Sequence, residues 1–175
     1  MTLQNTTKTV LGCFATLLIV AATAAPASAQ RASSFVDIFG GGARAGASAT
    51  GQFQFAKTKT SSKNGVQFGH GLAVGAGPNG IAISNSIGGG TGPLGVAHNL
   101  NLNIGPNGTH VSQGGVVSQG GNRRVIAGGE TGTQNGQIYG GSNVTGFGNQ
   151  TKVWSKSNTN NWNRPQYGTY NGWSH

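Results

Sequence analysis

The sequence predicts a mainly β protein built as an antiparallel meander of hairpins, and three observations predict it. Apolar residues alternate with polar residues or glycine over long stretches, the period-two pattern of a strand. Turn signals recur about every 14 residues through the middle of the chain. Between residues 30 and 175, 17 of the 21 Leu, Ile and Val residues are Val or Ile, the β-branched pair that suits a pleated surface.

Residues 1–29 read as a secretory signal peptide. Lys8 precedes an apolar run over residues 10–22, and Ala27, Ser28 and Ala29 form a small-x-small site, so cleavage is expected before Gln30. The run is shorter than the roughly 18 apolar residues that a membrane span needs. Cys13, the single cysteine, lies inside it. The mature chain is therefore expected to be extracellular, without a membrane span and without disulfides.

Residues 30–50 read as a flexible glycine- and alanine-rich leader. Gly40, Gly41 and Gly42 open a stretch without apolar periodicity that runs to Thr50, and Phe35, Val36, Ile38 and Phe39 form one small apolar cluster before it.

Residues 51–157 carry the hairpin pattern. Phe53 and Phe55 alternate with Gln52 and Gln54. Val66, Phe68, His70, Leu72 and Val74 alternate with glycine, alanine and glutamine, as do Ile81, Ile83 and Ile87, and then Leu94, Val96, His98, Leu100, Leu102 and Ile104. Asn64-Gly65, Asn79-Gly80, Asn107-Gly108 and Asn135-Gly136 are hairpin-turn dipeptides, and the last three are 28 residues apart. Residues 72–84 overlay residues 100–112, each unit carrying Gly-Pro-Asn-Gly, in which proline presets φ and asparagine and glycine tolerate the tight exit. Residues 90–93, 119–122 and 146–149 supply turns halfway between. Roughly eight strands result. An open sheet, a closed barrel and a solenoid-like stack all fit this pattern. Gly114, Gly115, Gly128 and Gly129 are expected to mark bulges, and Trp154 to close the last strand, with no regular element beyond about Ser157.

Residues 158–175 form an aromatic, asparagine-rich tail. Trp162, Tyr167, Tyr170 and Trp173 beside Arg164 are the candidate contact residues, because flat amphipathic rings and a guanidinium pack on sugars and other aromatics.

The chain offers little for catalysis. Its two acids, Asp37 and Glu130, stand in dissimilar settings, where carboxylate chemistry needs a positioned pair. No nucleophile elbow surrounds a serine, and no Gly-Lys-Ser/Thr follows the glycine runs. His70, His98, His110 and His175 lack thiolate or carboxylate companions for a metal. The expectation is a non-enzyme without cofactor or metal. Sequons at Asn107, Asn143 and Asn149 occur at the number chance predicts. The net charge is +9, falling to +8 when Lys8 leaves with the signal peptide. It points to anionic partners, and the signal peptide argues against nucleic acid.

The composition, led by glycine with alanine and asparagine and almost without acid, resembles that of the glycine-, alanine- and asparagine-rich secreted proteins of molluscan shell organic matrix. The resemblance spans residues 43–171 and rests on composition. It implies a structural role in a biomineral framework, with partners such as anionic matrix proteins or a polysaccharide such as chitin. The expected mode of action is self-association through edge-to-edge stacking of strands with few charged gatekeepers beyond Lys57 and Lys59, with the tail providing adhesion. A basic glycine-rich antibacterial effector and a bacterial surface amyloid are the alternatives.

Overall fold

The computed structural model describes residues 29–162; residues 1–28 of the expected signal segment and Arg164, Tyr167, Tyr170 and Trp173 lie outside them. Ten antiparallel strands fill this range, without a helix: β1 (Gln30–Phe39), β2 (Gly42–Thr50), β3 (Phe53–Lys63), β4 (Val66–Gly77), β5 (Gly80–Thr91), β6 (Leu94–Gly105), β7 (Gly108–Gln119), β8 (Arg124–Gln134), β9 (Gln137–Phe147) and β10 (Gln150–Asn161). The four Asn-Gly pairs all fall at strand junctions. Asn64 and Gly65 adopt φ of 53° and 74°, and Asn135 and Gly136 adopt 52° and 74°. Two successive positive φ values are the requirement of a type I′ hairpin, which Asn-Gly meets at least cost.

The strands make two open sheets. One has the order β2-β1-β8-β9 and the other β10-β7-β6-β5-β4-β3. The run from β3 to β7 is an uninterrupted meander, β8 and β9 cross to the smaller sheet, and β10 returns to pair with β7. The sheets lie face to face. β1 covers β4 and β5, β2 covers β3 and β4, β8 covers β5 and β6, and β9 reaches β7 and β10. The arrangement is a two-layer sandwich, so neither sheet closes into a barrel.

Three expectations are corrected. Residues 30–50 are not a flexible leader but the hairpin β1–β2, paired from Arg31↔Thr50 to Phe39↔Gly42. The pattern hides it because β2 carries alanine and glycine where a strand signal needs larger residues. Gly114, Gly115, Gly128 and Gly129 sit in continuous ladders without a bulge. The last strand runs to Asn161, carried by the ladder to β7 despite its asparagines.

The interior explains the glycines. Its apolar part is small: Val36, Ile38, Ala97, Val116, Val125 and Ala127 at one end, and Ala32, Ala73 and Ala82 at the other. Between them lies a buried polar layer. The Ser34 hydroxyl pairs with those of Ser84 (2.8 Å) and Ser86 (2.9 Å), and the Asn101 amide donates to Asn99 Oδ1 (2.6 Å), Ser112 Oγ (3.2 Å) and the Gly141 carbonyl (2.9 Å). Farther along β6, Asn103 donates to Thr133 at 3.0 Å. Because these bonds are short and the side chains small, the two backbones come close. A methyl group at Gly71 would overlap the Gly46 carbonyl oxygen, and one at Gly75 would lie 2.6 Å from the Arg31 carbonyl oxygen.

Candidate interaction surface

With small polar residues turned inward, period-two alternation sends the large apolar residues of the six-stranded sheet outward. The register aligns them in rows across the strands. One row runs Phe55, Val74, Ile83, Leu102 and Val111; the next runs Phe53, Ala76, Ile81, Ile104 and Thr109. Ile81, Ile87, Ile104 and Val117 are each 44 % exposed, which for a residue rooted in a sheet means that its outer side is bare.

The edges of this face are basic. Lys57, Lys59 and Lys63 lie on the edge strand β3, opposite Leu72, His70 and Val66. Lys152 and Lys156 lie on the other edge strand, β10, opposite Val117 and Gln113. In an antiparallel ladder directly opposed residues share a face, so all five lysines flank the apolar rows. No carboxylate shares the face. Asp37 and Glu130 are on the smaller sheet, where Arg124 binds Asp37 through two bonds of 2.9 and 2.8 Å and Arg31 binds Glu130.

Trp154 stands in the middle of β10 rather than closing it, and its ring meets His98 at 5.6 Å between centroids. Gly115 makes room for the indole, since a methyl there would lie 2.7 Å from Trp154 Nε1. Of the five expected contact residues only Trp162 is among those described. It is 55 % exposed, just past β10, with its amide donating to the Asn107 carbonyl at 2.9 Å. The Asn107 side chain in turn donates to the Gly136 carbonyl, tying two of the Asn-Gly turns together.

The 28-residue repeat brings His70 and His98 into one outer row, separated by Ile87. His70 bonds Asn85 at 2.8 Å. No group of three or more His, Cys, Asp or Glu residues that could hold a metal occurs among the described residues. His110 is buried, its Nδ1 bonded to Thr159 at 2.7 Å, and desolvation lowers its pKa. Arg123 is buried between the sheets with one bond, to Gln67 at 2.8 Å.

The smaller sheet has a different outer face. It carries the two ion pairs and a shallow depression of about 520 Å³ beside Glu130 and Tyr139, where Gly141 leaves open space. Burial first, then the Glu130 charge, raises the Tyr139 hydroxyl above its ordinary pKa. The depression holds one carboxylate, Glu130, engaged by Arg31 and hydrogen-bonded by the Tyr139 hydroxyl.

No helix among the described residues is long and apolar enough to cross a membrane, a statement that does not bear on strands. Comparison with protein-family models, with curated protein sequences and with solved structures finds no match to this chain. Fold and surface together define an antiparallel β-sandwich with a small, polar interior and a broad apolar outer face edged in lysine. The sequence reading took Lys57 and Lys59 as charged gatekeepers and did not place the five lysines on one face, although Lys57, Lys59 and Lys63 share the parity of Phe53 and Phe55.

Proposed function

We propose that the protein is a secreted structural protein of an extracellular organic matrix, acting without catalysis by adhesion through the outer face of its six-stranded sheet. The observation that carries this reading is the size and continuity of the apolar face. The four central strands, β4 to β7, of about twelve residues each at ~4.8 Å spacing and ~3.3 Å rise, cover on the order of 760 Å². The largest apolar patch on an ordinary monomer is ~300–600 Å², and a standard interface takes ~800 Å² from each partner. The resemblance in composition to shell matrix proteins supports the extracellular framework, with anionic matrix proteins or chitin as neighbours and Trp162 at the margin.

Adhesion through a face takes precedence over edge-to-edge stacking. Lysines on both β3 and β10 guard the edges, as charged edge residues do in monomeric sheet proteins. Self-association is therefore secondary to surface binding in this reading. The same lysines favour the basic antibacterial class as the second reading, which a bacterial killing assay would decide.

The test is adsorption to an alkyl-coated surface by the full chain and by a double variant, Ile83→Thr with Leu102→Thr, which keeps strand propensity and removes the centre of the face. The variant should desorb at markedly lower detergent concentration. Equal retention of both proteins would refute the reading.

A further inference from the structure

We infer that the lysine-edged face of the six-stranded sheet docks flat on an anionic lipid layer. The inference rests on the reading that this face is the adhesive surface, and it names the partner. Three features select the occupant.

The first is the order of chemistry across the face. The rows over β4 to β7 are mainly apolar, interrupted by His70, His98, Asn85 and Gln113, and the lysines stand only at the margins, Lys57, Lys59 and Lys63 on one side and Lys152 and Lys156 on the other. An anionic lipid layer has the matching order in depth, with hydrocarbon below and phosphate above. Apolar side chains can enter the acyl boundary while lysine stems lie along it and bring their ammonium groups up to the headgroups. The second is the sign of the charge. Both carboxylates of the described chain are on the opposite sheet, engaged by Arg31 and Arg124, so nothing on the docking side repels phosphate. The third is the backbone. Each of β4 to β7 pairs on both sides, leaving no bare amide or carbonyl ladder under the apolar rows. The unpaired edges, β3 and β10, carry the lysines and many Ser, Thr and Asn residues and would sit at headgroup level.

A second copy fits less well. Aligned packing of two such faces sets one lysine edge against another, since both edges are basic. A soluble anionic polymer would use the lysines and leave the apolar rows bare.

The experiment is flotation of the full chain with vesicles of phosphatidylcholine alone or mixed with phosphatidylglycerol. The variants share the same N-terminus and tail, so that differences report the face. Wild type should bind the anionic vesicles far better than the neutral ones and lose that preference as salt rises. Each lysine near an anionic surface contributes roughly fivefold in partitioning. Lys57→Gln with Lys59→Gln should therefore lower binding to anionic vesicles by roughly twenty-five-fold and leave the weak binding to neutral ones unchanged. Ile83→Thr with Leu102→Thr should weaken both. All variants are surface changes, and unchanged thermal melts confirm that they are folded.

Binding indifferent to phosphatidylglycerol or to the lysine changes overturns the inference. So does a concentration-dependent dimer that ignores vesicles, which makes a second copy the occupant. So does capture by dextran sulfate that depends on the lysines but not on Ile83 and Leu102, with no vesicle binding. If the chain adsorbs to an alkyl surface through Ile83 and Leu102 yet ignores lipid, the lipid inference fails and the adhesive face stands. If the Ile83/Leu102 variant changes neither, the adhesive face fails as well.

Discussion

A single methyl group separates the two faces of the large sheet. Gly71 on β4 points inward, and a Cβ there would overlap the Gly46 carbonyl oxygen and lie 3.2 Å from that of Phe35. The obstacle is backbone of the opposing sheet, so no rotamer change relieves it. The sheets must part by something like 1 Å, and a gap of that size forfeits a quarter to a half of each dispersion contact along it. Overpacking of this kind costs about 1–3 kcal/mol. Gly89, on the neighbouring strand β5, points outward, and a Cβ there would meet only the Gln67 carbonyl oxygen, at 3.5 Å, an ordinary contact. Gly89→Ala should therefore stabilise by about 0.4–1 kcal/mol through the unfolded chain. Gly71→Ala should destabilise by about 1–3 kcal/mol. Equilibrium urea unfolding followed by far-UV dichroism measures both, with equal m-values required for the comparison. If Gly71→Ala is as stable as wild type, the sheets do not meet at β4 and the assignment of inside and outside fails.

Asn101→Ala should destabilise by about 1–3 kcal/mol, because it removes the bonds to Ser84, Asn99, Ser112 and the Gly141 carbonyl from a buried layer; the same urea titration checks it. His110 has a lowered pKa from desolvation, so the unfolded chain takes up its proton first. Its contribution is fully present above the ordinary histidine value of ~6.5 and is lost as pH falls through that value toward the folded one. Wild type should lose stability between pH 7.5 and 5.5, by more than His110→Asn does.

The strands and turns were legible because each depends on local chemistry. Asn64-Gly65 and Asn135-Gly136 dictate their own φ values, and alternation from Val66 to Ile104 fixes the two faces wherever the sheet goes. The pairing of sheets was not legible. Ala43, Ala47 and Ala49 on β2 gain their strand from β1, beside which they lie, and not from their own propensity. The tight interior depends on contacts far apart in sequence, such as Ser34 with Ser84 and Asn101 with Gly141, which no local window contains. The candidate site was half legible. Each strand showed an apolar side, but whether that side was core or surface turned on the small residues opposite. Gly69, Gly71, Ser84, Ser86, Asn99 and Asn101 fill a thin interior that Ile or Leu would force open. Of the tail aromatics only Trp162 lies within the described residues.

The six-stranded sheet turns its polar residues inward and its large apolar residues outward, and two adjacent positions on β5 test this arrangement. Ser86 is fully buried, bonded to Ser34 and Asn99, and Ile87 is 44 % exposed on the outer face. In a Cys13→Ser background, Ser86→Cys and Ile87→Cys can each be labelled with a thiol reagent under native conditions. The thiol at position 87 should react at nearly the rate of an unfolded control, while that at position 86 should react only through unfolding. Protection of position 87 with rapid labelling of position 86 in the monomer would contradict it.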